Sequence, residues 1–429
     1  MIEIEEHKRE RAIAVGLYTH SKLKAQAEEY LDELKMLADT AGADIIHSLL
    51  QSKERIDSAT YIGSGKVEQI RQLAEDEDIS LILFDDDLTP AQTRNLENNI
   101  KRKIVDRSSL ILDIFANRAK TMEAKTQVEL AQLQYLLPRL TRMWTHLSKQ
   151  YGGIRTKGPG ETQIEADRRM LRDRIGVLKE KLEKIASQRT TQRKGRKEYY
   201  NIALIGYTNV GKSTLLNTLS DSSVFVENRL FATLDATTRM VSLSSTTPVL
   251  FTDTVGFIRK LPHHLIASFK STLEEVTEAD ILLHVIDTPH PHVEDQIATV
   301  KNTIEELGAS HKPVIYVFNK IDIVKDRSIV HELQTRYTPS IFISAHRGIN
   351  ISGLKEMILQ MIHAGYEEMK FSLPHNAYKT LSQLRDFVEI VDQQYDEEKI
   401  DIVIRVSMKL KERVEKIIAP YIKKKKSEF

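Results

Sequence analysis

The stretch Gly206-Tyr-Thr-Asn-Val-Gly-Lys-Ser213 follows an apolar run at residues 202–205 and precedes a run with helical character at residues 213–219. Its spacing, G-x-x-x-x-G-K-S, is that of a phosphate-binding loop between a strand and a helix. The two glycines let backbone N–H groups wrap phosphate oxygens, while Lys212 adds a positive charge and Ser213 offers a hydroxyl to Mg²⁺. The sequence therefore predicts a nucleotide-binding α/β domain around this loop.

Three short motifs end later apolar runs and sharpen this prediction. Asp253-Thr-Val-Gly256 ends PVLFTDT, and it supplies a carboxylate near the metal and a glycine N–H within reach of a γ-phosphate. Asn319-Lys-Ile-Asp322 ends PVIYVFN, and Asp322 can accept both hydrogens on the edge of guanine. Adenine lacks that pair of donors, so bound adenine would leave the carboxylate without its hydrogen bonds, a loss of roughly 1–3 kcal/mol or more in binding free energy. Guanine is the predicted base, with Ser344-Ala345-His346 closing the pocket.

Composition excludes several classes of protein. The chain has 429 residues, a formal net charge of +1 and no cysteine, which excludes disulfides, thiolate metal sites and cysteine catalysis. No apolar run approaches the roughly 18 residues of a membrane span, and the first ten residues do not resemble a targeting peptide. We expect a cytoplasmic monomer without an integral membrane segment, and peripheral association with a membrane stays open.

The pattern along the chain predicts an α/β protein with four parts. Residues 1–119 alternate strand and helix patterns and predict a small α/β domain. Residues 120–197 predict a basic helical hairpin whose polar end, from Ser187, serves as a linker. Residues 198–365 form the predicted GTP-binding domain, and residues 366–429 a small α+β domain.

The predicted hairpin is strongly basic, although the net charge of the whole chain is only +1. Apolar residues recur every three or four positions on both of its arms, as in two packed antiparallel helices. Between Arg139 and Lys197 there are 17 lysines and arginines against 6 aspartates and glutamates. The Gly-rich tip holds Arg155 and Lys157 with residues 158–160, which favours contact with RNA. The alternative to RNA contact is an ordinary solvent-exposed helix face, on which the basic residues form ion pairs with acidic residues of the same helix.

The four nucleotide motifs together resemble the Ras-like GTPase superfamily. The block GGIRTKGPGETQIEADRR, the segment FATLDATTR and the run DTVGFIRKLP resemble the HflX family of ribosome-associated GTPases, over essentially the whole chain. This resemblance implies a Mg²⁺-dependent GTPase that hydrolyses GTP to GDP and phosphate. It also implies binding to the large ribosomal subunit and its RNA, and action in ribosome splitting, rescue or recycling under stress.

The motifs and the resemblance together assign a set of site residues. Thr233 resembles the switch residue that binds Mg²⁺ and senses the γ-phosphate, and Thr237 or Thr238 is its rival. Ser213 and Thr233 are the predicted metal ligands, and Lys212, Thr233 and Gly256 the predicted catalytic residues. The predicted nucleotide contacts are Gly206, Tyr207, Thr208, Asn209, Val210, Gly211, Lys212, Ser213, Phe231, Ala232, Thr233, Leu234, Asp235, Asp253, Thr254, Val255, Gly256, Asn319, Lys320, Ile321, Asp322, Ser344, Ala345 and His346.

One position departs from the Ras-like pattern. Phe257 follows DTVG where those proteins hold the glutamine that orients the attacking water, and phenylalanine forms no hydrogen bond with water. Intrinsic hydrolysis should therefore be slow. The group that orients the attacking water must then come from elsewhere in the chain or from a partner. The resemblance suggests that this partner is the ribosome.

The sequence also allows other interpretations. The protein could be a ribosome assembly GTPase, or an RNA-binding or remodelling module that uses its G domain as a timer. Gly63-Ser-Gly-Lys66 suggests a second nucleotide site in the first domain, although a plain turn fits better because Val67 replaces the metal-binding hydroxyl. The run Asp85-Asp86-Asp87 is expected to cap a helix beginning near Pro90, with a cation site as the alternative.

Overall fold

The computed structural model describes most of the chain in two compact units. The described residues are 9–18, 23–143, 159–193, 199–220, 230–231, 234, 236–244, 247–260, 270–385, 388–396 and 399–422. One unit comprises residues 1–187, 227–235 and 258–272, and the other comprises 188–226, 236–257 and 273–429. Two segments of the predicted GTP-binding domain therefore belong to the first unit.

The first unit contains a four-stranded parallel sheet in the order β2-β1-β3-β4. Strand β3 is buried along its whole length, as expected for a parallel sheet covered on both faces. Its elements are β1 (Glu10–Tyr18), α1 (Lys24–Ala41), β2 (Ala43–Ser52), α2 (Ser64–Asp76), β3 (Leu81–Phe84), α3 (Pro90–Ile100), β4 (Lys103–Asp106) and α4 (Arg107–Arg118).

Two long helices, α5 (Met122–Met143) and α6 (Pro159–Arg193), form the hairpin. Arg174 pairs with Glu129 at 2.6 Å, and Lys181 contacts Met122, so the helices run antiparallel, as the leucine spacing predicts. The polar stretch predicted as a linker from Ser187 is helical as far as Arg193, which is a correction.

The tip of the hairpin is shorter than predicted. Pro159 and Gly160, expected in the tip, belong to the first turn of α6, where a proline fits because its missing N–H needs no partner. Arg155 and Lys157 lie outside the described residues.

The second unit contains a six-stranded sheet in the order β10-β9-β8-β5-β7-β6, parallel except for β6. The strand β6 was not predicted, because its alternating sequence lies within the segment assigned to the switch. Its elements are β5 (Tyr200–Ile205), α7 (Lys212–Leu219), β6 (Thr237–Ser244), β7 (Thr247–Asp253), α8 (Lys270–Glu278), β8 (Ile281–Asp287), α9 (Val293–Glu306), β9 (Val314–Asn319), α10 (Arg327–Arg336), β10 (Ser340–Phe342) and α11 (Ile351–His363).

A three-stranded antiparallel sheet in the order β11-β13-β12 completes the second unit. Alternate residues of β13, from Ile400 to Val406, are buried in its core with Val414 and Ile418. The elements are β11 (Tyr366–Pro374), α12 (Tyr378–Arg385), β12 (Glu389–Tyr395), β13 (Lys399–Ser407) and α13 (Met408–Ile422), of which β11 was not predicted. The α/β fold class with a small α+β carboxy-terminal part is confirmed.

The acidic run does not cap α3. The helix begins at Pro90 as expected, but Thr89 caps it, in a capping box with Gln92. Asp85, Asp86 and Asp87 are instead engaged with Arg107, Tyr61 and Ser108 among other partners. None of the helices in the part of the chain that the structure describes is long and apolar enough to cross a membrane.

Candidate nucleotide-binding site

The phosphate loop joins β5 to α7 and uses glycine at the two positions where a side chain would collide. Gly206 has φ +150°, and a Cβ there would overlap the carbonyl oxygen of Val285. Gly211 has φ +94°, and a Cβ there would overlap the side-chain amide of Asn319. Both positions therefore need glycine for conformation and for space.

Lys212 is buried at the centre of this loop. Its Nζ donates to the carbonyl oxygens of Tyr207, at 2.7 Å, and of Gly206, at 3.1 Å. Burial lowers the pKa of Lys212 to about 8, and the nearby carboxylate of Asp253 partly offsets this effect. The ammonium group is thus held inside the loop by two backbone carbonyls.

Ser213, in the first turn of α7, and Asp253, at the end of β7, bring two hard oxygen ligands together. Ser213 Oγ donates to Asp253 Oδ2 at 2.5 Å, and the Asp253 side chain is buried. Hydroxyl and carboxylate oxygens suit Mg²⁺, which also keeps several waters in nucleotide sites. Among the described residues there is no cluster of three or more His, Asp or Glu side chains that could hold a metal by themselves. This pair therefore fits a metal that phosphates help to hold.

Gly256 lies against the phosphate loop. A Cβ on Gly256 would come within 2.9 Å of Thr208 Cα and 3.1 Å of Lys212 Nζ. The next residue, Phe257, donates its N–H to Gly206 at 3.1 Å and accepts from the N–H of Thr208 at 2.8 Å. The buried Phe257 side chain adds no polar group to the site. The backbone after DTV is thus fixed to the loop over two consecutive residues.

The ends of β9 and β10 meet at the predicted base pocket. Asn319 donates to the carbonyl of Val210 at 2.8 Å and accepts from the N–H of Ala345 at 2.9 Å, so it joins two motifs to the loop. Lys320 donates to the carbonyl of Asn209 at 3.1 Å. Asp322 lies on a short 3-10 helix. Its side chain and that of His346 are both exposed, and neither has a hydrogen-bond partner among the described residues.

The predicted switch residues divide between described and undescribed positions. Ala232, Thr233 and Asp235 lie outside the described residues. Phe231 is buried in the first unit, where its ring packs edge-on against Phe115 at 4.7 Å between centroids. The rivals of Thr233, Thr237 and Thr238, lie in β6 and pair there with Asp253 and Thr252.

The remaining predicted contacts take different positions in the described fold. Tyr207, Val210, Thr254 and Val255 are buried, as are Ser344 and Ala345 at the end of β10. Leu234 is buried in the first unit. Ile321 donates its N–H to the carbonyl of Ile343 at 3.1 Å, which holds the two predicted base motifs side by side.

Two side chains of this region were not predicted from the sequence. Asp287 ends β8 and pairs with Lys320 at 2.7 Å, a position that the rule of polar residues at the carboxyl ends of parallel strands would have found. His284 is buried in β8, and burial, reinforced by the charge of Lys212, lowers its pKa to about 3. This histidine is therefore neutral at physiological pH and adds no second charge beneath the loop.

Three family profiles match consecutive parts of the chain. They are described as the GTP-binding GTPase N-terminal region, over residues 28–116, the GTP-binding GTPase middle region, over 118–196, and a 50S ribosome-binding GTPase, over 201–320. GTPase HflX of Flavobacterium psychrophilum is 52% identical over 339 residues, which cover 79% of this chain and 82% of the relative. The chain belongs to the HflX family of GTPases. The resemblance found in the motifs is confirmed.

Other members of the HflX family match over nearly the full chain. GTPase HflX of Caldanaerobacter subterraneus subsp. tengcongensis is 44% identical over 96% of this chain and 94% of its own. A solved GTP-binding protein from Sulfolobus solfataricus, in complex with GDP, covers 82% of this chain and 98% of its own, at 25% identity and a TM-score of 0.44. Family membership makes the protein a GTP-binding GTP hydrolase, as the motifs predict.

The lowered pKa of Lys212 predicts that nucleotide binding depends on pH. Phosphate oxygens favour the charged amine, so bound nucleotide should raise this pKa well above 8. Binding should then take up a proton where the pH exceeds about 8, and affinity should fall up to about tenfold per pH unit above that value. Titration calorimetry in buffers of different ionisation enthalpy should show almost no proton uptake at pH 7 and about one proton at pH 9.5. Equal proton uptake at pH 7 and pH 9.5 would contradict the assignment of Lys212 as the amine that binds the phosphates.

Proposed function

We propose that this protein is a Mg²⁺-dependent GTPase that docks on the large ribosomal subunit and acts in ribosome splitting, rescue or recycling under stress. The observation that carries the proposal is the joining of all four motifs at one edge of one sheet. Lys212 and Ser213 begin the helix that follows β5, Asp253 ends β7 with Gly256 just after it, and Asn319 ends β9; these three strands are parallel in one sheet. This edge is where open α/β sheets bind nucleotides.

Each described residue has a part in the proposed reaction. Lys212 exchanges its two carbonyl partners for phosphate oxygens and offsets the charge that spreads over the transferred group. The N–H of Gly256 binds the γ-phosphate, and the loop backbone holds the other phosphates. Asp322 reads guanine, and Asn319 keeps the base pocket joined to the loop.

Ser213 would hold Mg²⁺ directly, with Thr233 as the second side-chain ligand and Asp253 through water. When bound, the ion supplies neutralisation of charge between the β- and γ-phosphates. The chemistry of the Ser213–Asp253 pair supports this assignment because both groups offer oxygen alone.

No described residue next to Gly256 orients the attacking water. Phe257 is apolar and buried, and its backbone is already engaged with Gly206 and Thr208. Hydrolysis by the protein alone should therefore be slow, and we assign the missing group to the ribosome-bound state. The profile described as a 50S ribosome-binding GTPase supports the large subunit as this partner.

The hairpin supports contact with ribosomal RNA. Several cations of α6 are exposed, among them Arg169, Arg172, Lys179 and Lys184. A part of the positive excess is offset locally, since Arg174 pairs with Glu129 on α5. The exposed cations of α6 suit contact with the phosphates of RNA.

The test measures GTP turnover with and without purified large subunits. We expect strong stimulation, toward the roughly thousandfold that a supplied catalytic group contributes in other phosphoryl transfers. Small subunits are the control and should not stimulate. Equal turnover in all three conditions would contradict ribosome-dependent activation and favour an RNA-binding module with a weak timer.

A tip variant tests the docking half of the proposal. Arg155→Ala with Lys157→Ala should lower the slope of log affinity for large subunits against log salt by roughly 1 to 2 units. The matched control, Lys301→Ala with Arg327→Ala, removes one exposed lysine and one exposed arginine from α9 and α10. It should leave the slope unchanged.

Sedimentation of intact ribosomes with the protein and a non-hydrolysable GTP analogue distinguishes splitting, which yields free subunits, from a role in assembly.

A further inference from the structure

The carboxyl end of β8 lies beside the base motif that ends β9. Asp287 is the last residue of β8, and in the parallel pairing of the two strands it lies opposite Asn319. The next residue, Thr288, is buried, and both its N–H and its Oγ1 donate to the carbonyl oxygen of Asn319, at 3.1 and 2.6 Å. The backbone after β8 is therefore fastened to the first residue of the base motif.

The side chain of Asp287 extends this attachment to the phosphate loop. Its Oδ2 accepts a hydrogen bond from Lys320 Nζ at 2.7 Å, and the same Nζ donates to the carbonyl oxygen of Asn209 at 3.1 Å. Lys320 thus joins the base motif to the loop, with Asp287 as its charged partner. The Asp287 side chain is 17% exposed, so salt and water screen this pair less than they screen a surface ion pair.

The conformation and the charge of this pair both favour a positioning role. Lys320 has φ +63°, in the left-handed region that residues other than glycine rarely adopt, so its surroundings must hold it there. Asp287 Oδ1 is buried and has no hydrogen-bond partner among the described residues. Lys320 is therefore the group that compensates the charge of this carboxylate, and removing one partner of such a pair disturbs the structure more than removing a surface charge.

We infer that Asp287, through Lys320, is a positioning residue for guanine recognition. This inference rests on the proposed function of Asp322, which lies two residues after Lys320. A nucleotide held by its phosphates presents the edge of its base at a fixed distance from the phosphate loop. Hydrogen bonds weaken steeply outside a narrow range of length and angle, so Asp322 must lie at the matching distance. Lys320, held between Asn209 and Asp287, sets that distance.

GDP and inosine diphosphate test this inference, because they differ only in the exocyclic amino group of the base and neither carries a γ-phosphate. The parent should prefer GDP by roughly ten- to a hundredfold in calorimetric titration, the contribution of one hydrogen bond to a charged group. Asp287→Asn, which keeps the shape and removes the charge, should lower this preference about fivefold, at the low end of the usual coupling between sites. A ratio of two affinities does not depend on the folded fraction, so a loss of stability alone leaves it unchanged.

Asp280→Asn is the matched control. Asp280 directly precedes β8, and Lys409 pairs with it, so this variant also removes the charge of a carboxylate bound to a lysine. It does so at the opposite end of the same strand, away from the base motif. A general loosening of β8 would affect both variants alike. We expect the ratio of GDP to inosine diphosphate affinity in Asp280→Asn to stay within about twofold of the parental ratio.

A second substitution tests whether Asp287 acts through Lys320. Lys320→Met should also lower the preference for GDP, because it removes the link to the Asn209 carbonyl. Adding Asp287→Asn to this variant should then change the ratio by less than about twofold, since the two residues act as one unit. Fully additive losses would show that Asp287 acts independently of Lys320, which contradicts the inference.

The outcomes keep this inference distinct from the proposed function. A parent protein that binds GDP and inosine diphosphate equally would contradict the reading of guanine by Asp322. A parent that prefers GDP, together with an Asp287→Asn variant that keeps the full preference, would overturn the positioning role alone. An equal loss of preference in Asp280→Asn would also overturn it, because the effect would then belong to β8 as a whole.

Discussion

Lys212→Ala should lower GTP affinity by roughly a thousandfold and leave the protein folded. Two unit charges at about 4 Å attract by about 4 kcal/mol at an effective dielectric constant of about 20, which corresponds to nearly three powers of ten in affinity. The ammonium lies inside the loop, 2.7 Å from the carbonyl of Tyr207, and in the proposed site it exchanges this partner for a phosphate oxygen. GTP hydrolysis should be lost with binding.

The same substitution should cost little stability in the absence of nucleotide. Burial lowers the pKa of Lys212 to about 8, so its charge is less favourable in the folded protein than in the unfolded chain. Removing the amine relieves that cost, which offsets the loss of two hydrogen bonds to the loop carbonyls. Thermal melting of the variant without nucleotide should therefore match that of the parent within a few degrees.

The measurement is titration with GTP and with GDP, read by calorimetry. Lys301→Ala, an exposed lysine of α9 in the same unit, is the control and should bind both nucleotides as the parent does. A Lys212→Ala protein that binds GTP within about tenfold of the parent would show that the loop does not hold the phosphates.

The sequence predicted those features that depend on local pattern. Gly206 and Gly211 could be recognised because a strained backbone and a tight approach both demand glycine at a fixed spacing. The buried strands could be recognised by their continuous apolar runs. The edge strands β6 and β11 were missed because both are only partly buried and neither shows a continuous apolar run; β6 also begins within the segment assigned to the switch.

Features that depend on distant partners could not be predicted. The run Asp85-Asp86-Asp87 suggested a helix cap, because a helix begins just after it in the sequence. Its partners Arg259 and Lys260 lie about 174 residues away in the chain, and only the fold brings them together. Asn319 is similar. Its motif predicts a role toward the base, whereas the structure shows its amide joined to Val210 and Ala345.

Asp322→Asn should exchange the preference for guanine for a preference for xanthine. A carboxylate accepts both hydrogens of the guanine edge, and an asparagine presents one acceptor and one donor there instead. Xanthine carries a carbonyl where guanine has an amino group, so the new donor meets an acceptor. Hydrogen bonds to charged groups contribute about 1.5–3 kcal/mol, and a mismatched polar pair adds a desolvation cost. GTP affinity should therefore fall by roughly one to three powers of ten, while affinity for xanthosine triphosphate rises.

The position of Asp322 makes this prediction a clean one to measure. It is exposed on the 3-10 helix Ile321–Ile323, so its substitution should change the free energy of unfolding by no more than about 0.5 kcal/mol. The control is Asp295→Asn, which makes the same chemical change at an exposed carboxylate of α9. Competition between the two triphosphates for parent, variant and control gives the ratio of affinities directly. If Asp322→Asn kept the parental ratio, the base would be read by another group, and the exposed His346 beside Ala345 would be the next side chain to replace.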